Sequence, residues 1–216
     1  MKIHHHKSHR AFTLVEGLVV VAVILFLLFL VLPAFQSPKK RRHSTQMNCG
    51  NNLMQVGQAV RMWQGDNNDK YPMNVPVALD GARELIATGN VVACFQIMSN
   101  ELATPAVLLC PTDDLHVRAT NFDDFTRTNV SYFLALNASE SDPHAILSGD
   151  DNLLPDGRPV SPGIIDLSTH QTTWSTNRHP DGGNILLGDG SVQAVKQMGL
   201  TSPVGTFFHT NRIVVP

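Results

Sequence analysis

The stretch RAFTLVEGLVVVAVILFLLFLVLPAF, from Arg10 to Phe35, decides how the chain is read. From Gly17 to Leu32 there are 16 residues without a charge, and Glu16 is the only charged residue of the 21 between Phe12 and Leu32. At a rise of about 1.5 Å per residue, ~20 such residues reach across a hydrocarbon layer of roughly 30 Å. Leu18 to Leu32 is apolar on every side, without the polar stripe of a surface helix. The sequence therefore predicts a transmembrane helix over 12–35. A carboxylate within such a helix costs roughly 2.5–3.5 kcal/mol near the centre and less near an end, so Glu16 needs a partner. In a bundle of identical helices an ammonium from the next chain neutralises it, and one repeated head-to-tail operation gives an open helical assembly. A cleaved secretory signal fits less well. Its apolar core is about 7–15 residues and ends in small residues, unlike Leu32-Pro33-Ala34-Phe35.

Outward from this stretch the charge is uneven. The formal net charge of −2 over 216 residues conceals a basic start and an acidic remainder. Residues 1–42 carry Lys2, Lys7, Arg10, Lys39, Lys40, Arg41 and Arg42 against Glu16 alone, and the rest carries 9 basic and 17 acidic residues. An acidic body repels phosphate, which argues against a nucleic-acid partner. The Lys39–Arg42 run reads as an interfacial anchor for anionic headgroups. A hydrophobic fraction of 43% excludes a disordered chain, and the length suits one sizeable domain.

Beyond Arg41 the pattern is helical and amphipathic to about Asp66. Leu53, Val56, Gly57, Val60 and Trp63 share one face, and Gln46, Asn51, Gln55, Gln58 and Arg61 lie opposite. This reads as the continuation of the apolar helix, loosened at Pro33 and Pro38 and ended by the turn-forming cluster Asp66-Asn67-Asn68-Asp69. Residues 90–102 read as helix, and Val107–Cys110 and 129–136 as strands. Residues 137–163, rich in Asp, Gly, Pro and Ser, read as a long loop with short strands. Asn184–Leu187 and Val192–Val195 flank Gly188-Asp189-Gly190-Ser191, which predicts a hairpin.

The segment Arg10-Ala11-Phe12-Thr13-Leu14-Val15-Glu16 resembles the prepilin signal of type IV pilins and type II secretion pseudopilins. The resemblance implies a peptidase cut between Ala11 and Phe12, methylation of the new amine on Phe12, and Glu16 pairing with the terminal amine of a neighbouring subunit. Ala11 stands where that family usually has Gly. Three further segments resemble a pilin-like family of planctomycetes and verrucomicrobia: Cys49-Gly50-Asn51-Asn52-Leu53-Met54-Gln55-Val56-Gly57, then Phe95 to Pro111 with Asp113, then Ser131-Tyr132-Phe133. His179, nine residues, and Asp189-Gly190 match the spacing of that family's C-terminal signature.

The chemistry of the body is sparse. Cys49, Cys94 and Cys110 allow three pairings, and no pair has the CxxC spacing of a zinc or thioredoxin site. The resemblance places Cys49 and Cys110 in family motifs and so implies that these two are bridged. His179 with Asp181 and Asp189 could form a metal or catalytic set, but Asp181-Gly182-Gly183 and Asp189-Gly190 also have the chemistry of turns. The resemblance to pseudopilins raises calcium, for which Asp150, Asp151, Asn152 and Asp156, or Asp181 and Asp189, offer oxygens without an EF-hand pattern. There is no GxSxG, HExxH or P-loop, and Ser175 near His179 lacks an oxyanion-hole motif.

The expectation is an α+β protein of pilin-like fold: a long N-terminal transmembrane and amphipathic helix packed on a mainly antiparallel sheet with long loops. Its parts are a cytoplasmic leader (1–11), a membrane helix (12–35), an amphipathic continuation (36–66) and an exported body (67–216). The expected function is structural, without catalysis or cofactor, at the bacterial inner membrane with the body in the periplasm. Partners would be a prepilin peptidase and other pilin or pseudopilin subunits. The rival readings are a ligand-binding minor pilin and a tethered periplasmic enzyme. The enzyme reading requires His179 and Asp189 to share a pocket.

Overall fold

The structure is a computed structural model in which residues 14–31, 38–179, 182–196 and 212–216 are described. Ala11, Phe12, Pro33 and Asp181 lie outside them. The chain divides into two compact units, Met1–Arg41 and Arg42–Pro216.

The first unit contains helix α1, Leu14–Val31. Its side chains are exposed almost throughout, from Leu14 to Phe29. This corrects the expectation of one long transmembrane and amphipathic helix. There are two separate helices, α1 and α2 (Pro38–Asp66). Pro38 occupies the first position of α2, where a missing N–H costs nothing. The 18 residues of α1 extend about 27 Å, and its uncharged part after Glu16 is shorter still, against a layer of roughly 30 Å. Among the described residues no helix is long and apolar enough to cross a membrane, so the single-pass span is not supported.

In the second unit α2 leads into short helical segments, α3 (Arg83–Ile86), α4 (Val91–Ile97) and α5 (Ser99–Leu102), and then into the strands. The Asn90 side chain caps α4 by accepting from the Ala93 N–H at 3.2 Å. The strands are β1 (Tyr132–Ala135), β2 (Ile146–Asp150), β3 (Leu153–Pro155), β4 (Gly163–Asp166), β5 (Thr172–Trp174), β6 (Gly183–Leu187), β7 (Val192–Val195) and β8 (Arg212–Val215). Six form an antiparallel sheet in the order β4-β8-β1-β2-β6-β7, and β3 pairs with β5.

The four inner strands β8, β1, β2 and β6 are buried on both faces, whereas the edge strands β4 and β7 are partly exposed. Tyr132, Leu134, Leu186 and Val214 join the cluster that holds Leu53, Val56, Val60 and Trp63 of α2. Their neighbours Phe133, Ile185, Leu187, Ile213 and Val215 point the other way, against Leu153, Leu167 and Trp174. Gly57 sets the helix close to the sheet, because a Cβ there would meet Leu186 Cδ1 at 2.8 Å. The hairpin read over 184–195 is present, with Asn184 opposite Ala194 and Leu186 opposite Val192. The strand expected at Val107–Cys110 is instead a 3-10 turn over Pro105–Leu108. Proline at its first position and Thr104 Oγ1, accepting from the Ala106 N–H at 3.3 Å, start a helical turn that overrides the apolar run.

Candidate functional site

The segment Cys49–Gly57 lies on α2 where the helix meets the chain before β1. Cys49 is bonded to Cys110 across 61 residues, the pair that the resemblance implies. One turn on, Asn52 Nδ2 donates to the Leu109 carbonyl at 2.9 Å. Cys94 is free and buried, and burial alone pushes its thiol up to about 12. A disulfide is the mark of an oxidising compartment.

Around this bond the ends of several elements bring polar side chains together. Asp150 closes β2 and Asp151 follows it. Arg178 and His179 precede β6, Ser131 precedes β1, and Asp113 and His116 sit in the loop after Cys110. Two networks result. In the first, Arg178 Nη2 donates to Asp113 Oδ2 at 2.5 Å, and Nη1 donates to Asp151 Oδ1 and to the Ser131 carbonyl at 3.1 Å. Ser131 Oγ donates to Asp113 Oδ2 at 2.6 Å while accepting from the Cys110 N–H at 3.0 Å. His116 Nδ1 lies 2.7 Å from Asp113 Oδ2, and its Nε2 lies 3.8 Å from Asp151 Oδ2.

Burial works to raise the Asp113 carboxyl, but the hydrogen bond from His116, the Arg178 guanidinium and the Ser131 hydroxyl outweigh it and hold the group below the usual carboxylate range. For Asp151 burial wins and the carboxyl is raised, although Arg178 and His116 oppose it. His116 is held above its ordinary value, chiefly by the hydrogen bond to Asp113. Burial opposes the Arg178 charge, yet Asp151, Asp113 and Asp150 keep its pKa raised.

The second network is wholly buried. His179 Nε2 lies 3.3 Å from Asp150 Oδ2 and 3.5 Å from Cys110 Sγ. The same Asp150 oxygen accepts from the Asn184 N–H at 2.7 Å and from Asn184 Nδ2 at 3.0 Å, and Nδ2 also reaches the Gln46 carbonyl on α2 at 3.4 Å. Asp150 Oδ1 and His179 Nδ1 are buried without a hydrogen-bond partner.

The two residues of the C-terminal signature are not brought together. His179 is fully buried before β6, whereas Asp189 is exposed after it, where its Oδ1 caps the hairpin turn by accepting from Ser191 N–H at 2.8 Å and Ser191 Oγ at 2.6 Å. Gly190 follows with φ +80°, a left-handed conformation suited to glycine. The nine-residue spacing therefore brackets one strand and places no common pocket. Nor are the candidate calcium ligands gathered among the described residues. Asp150 and Asp151 belong to the two networks above, Asp156 binds His170 Nδ1 at 2.7 Å, and Asp189 serves the turn.

Arg178, His116 and Asn184 escaped the sequence reading as site residues. The available signals were slight: Arg178 adjoins His179, and Asp113 follows Cys110 by three residues. Comparison with family models, curated proteins and solved structures finds no match to this chain.

Proposed function

We propose that the chain is an exported structural subunit of a type IV pilus-like or type II secretion pseudopilus filament. A prepilin peptidase cuts between Ala11 and Phe12, and copies assemble by packing their N-terminal helices. Glu16, in the first turn of α1, sets the register against a neighbour's terminal amine. The observation that carries this reading is α1 itself. It is an 18-residue helix whose only charged residue is Glu16, with large exposed apolar side chains from Leu14 to Phe29. So much exposed apolar surface marks an interaction element. A body outside the bacterial inner membrane is part of the same proposal. It rests on the resemblance of the leader and agrees with the disulfide. The buried networks serve as braces for the body, and no reaction is assigned to them.

Photocrosslinking groups placed at Leu18 and Leu25 in the native host test the assembly step. The expected result is crosslinks between copies, or to other subunits of the same kind, that disappear in Glu16→Ala. Crosslinks that persist unchanged in Glu16→Ala, or none from either position, contradict it.

A further inference from the structure

We propose that Cys49, Cys110, His179 and Asp150 form a zinc site in the reduced chain, in the space that the disulfide otherwise closes. The ligand atoms of Cys49, Cys110 and His179 all lie within 4.8 Å of one another. Tetrahedral zinc, with Zn–S near 2.3 Å and Zn–N near 2.0–2.1 Å, holds neighbouring ligand atoms roughly 3.3–3.8 Å apart. Cys110 Sγ and His179 Nε2 are 3.5 Å apart, and His179 Nε2 and Asp150 Oδ2 are 3.3 Å apart. The Cys110–His179 and His179–Asp150 edges are therefore at hand; the two sulfurs must separate, and the Asp150 carboxylate, which lies outside the group of atoms within 4.8 Å of one another, must move toward them to complete the tetrahedron.

Hydrogen bonds hold Asp150 and reach the sulfurs, while His179 is fixed by burial, its Nδ1 having no hydrogen-bond partner. All four residues are fully buried. Asn184 fixes the Asp150 carboxylate with two donors, and Thr112 Oγ1 lies 3.2 Å from Cys110 Sγ and 3.9 Å from Cys49 Sγ, placed to donate to a thiolate. Asp150 Oδ2, the oxygen near His179, already accepts both Asn184 donors, and Oδ1 beside it has no hydrogen-bond partner. The neighbouring group Asp113, His116 and Asp151 is also compact, but the Arg178 guanidinium binds both of its carboxylates and takes the place of a cation.

Reduction by a thiol or phosphine delivers two electrons and two protons to the disulfide and leaves two thiols. Zinc then displaces both thiol protons and binds two thiolates, the Nε2 lone pair of His179 and the Asp150 carboxylate, with the imidazole proton on Nδ1. A two-electron oxidant such as a disulfide reverses the change: the sulfurs bond, and the ion leaves. The newly made chain needs no reductant, because its thiols have not yet been joined.

The test uses the full chain with Cys94→Ser, in detergent, freed of metal by a chelator and kept anaerobic. Zinc is measured on the reduced and oxidised forms, and cobalt(II) serves as the spectroscopic probe. The expected result is one metal per reduced chain, with sulfur-to-cobalt charge-transfer bands and the visible bands of a tetrahedral ion, and neither in the oxidised chain. Asn184→Ala should weaken binding roughly 10–100-fold, Cys110→Ser should weaken the charge-transfer bands, and Cys49→Ser with Cys110→Ser should abolish them. A reduced chain that binds no metal, or binds cobalt without those bands, overturns the proposal. Both overturning results are read on the chain with its ligand set intact, so a variant that fails to fold does not obscure them.

Discussion

Arg178 Nη2 donates to Asp113 Oδ2 at 2.5 Å, and the same guanidinium also holds Asp151 and the Ser131 carbonyl. One buried cation thus joins the approach to β6, the loop after Cys110 and the end of β2. Replacing such a cluster entirely by apolar residues can be neutral, but removing one partner leaves charge buried and unpaired. Arg178→Met should therefore destabilise the body by about 3–5 kcal/mol. Adding Asp113→Asn and Asp151→Asn should restore part of the loss. Urea denaturation of the three chains measures both effects.

The disulfide closes a loop with a sequence separation of 61 residues. In the chain-entropy account its loss through Cys49→Ser with Cys110→Ser costs about 4 kcal/mol. Equilibrium unfolding of the double variant beside the oxidised wild type checks the magnitude. Cys94 supplies a control. As a buried thiol with its pKa pushed up to about 12, it should resist alkylation in the folded chain and react once urea unfolds it.

His116 gives the body a pH dependence. Its pKa is raised on folding, first by the hydrogen bond to Asp113. Its contribution is therefore complete below its unfolded value of about 6.5 and lost as pH rises through the folded value. Asp113, lowered on folding, works in the opposite sense: its contribution is present above about pH 3.9 and lost as pH falls through the folded value. Asp151, raised by burial, favours the acidic side as His116 does, but at its own lower range. Stability measured from pH 6.5 upward should fall in the wild type and fall less steeply in His116→Gln.

Gly183 packs directly beneath an aromatic ring. A Cβ there would meet Trp174 Cε3 at 2.3 Å, and one on Gly182 would meet the Val195 carbonyl oxygen at 1.8 Å with φ at +134°. Gly183→Ala should cost about 1–3 kcal/mol through overpacking. The Trp174 fluorescence of the folded chain should shift with it. Gly157→Ala serves as comparison, because its neighbourhood is open and only the φ of +77° resists the change.

The parts of this fold legible in the sequence were those with a strong local period. Leu53, Val56, Val60 and Trp63 announced the buried face of α2, and the runs flanking Gly188–Ser191 announced the hairpin. Reading α1 and α2 as one continuous helix failed because an apolar run without a period cannot mark where it ends before an amphipathic one, and Pro38 begins a new helix. The 105–110 segment failed because a proline and a threonine cap outrank four apolar residues. The site was least legible. Asp113, Asp151 and Arg178 are separated by 27 to 65 residues, and only the closing of the sheet brings them together. The spacing of His179 and Asp189 suggested a pair, whereas an intervening strand holds them at its two ends.

The filament proposal stands most directly on the start of the mature chain. The decisive measurement is the mass of the N-terminal peptide of the protein isolated from its native cells. The account predicts a chain that begins at N-methylated Phe12. A chain that still begins at Met1 would contradict it.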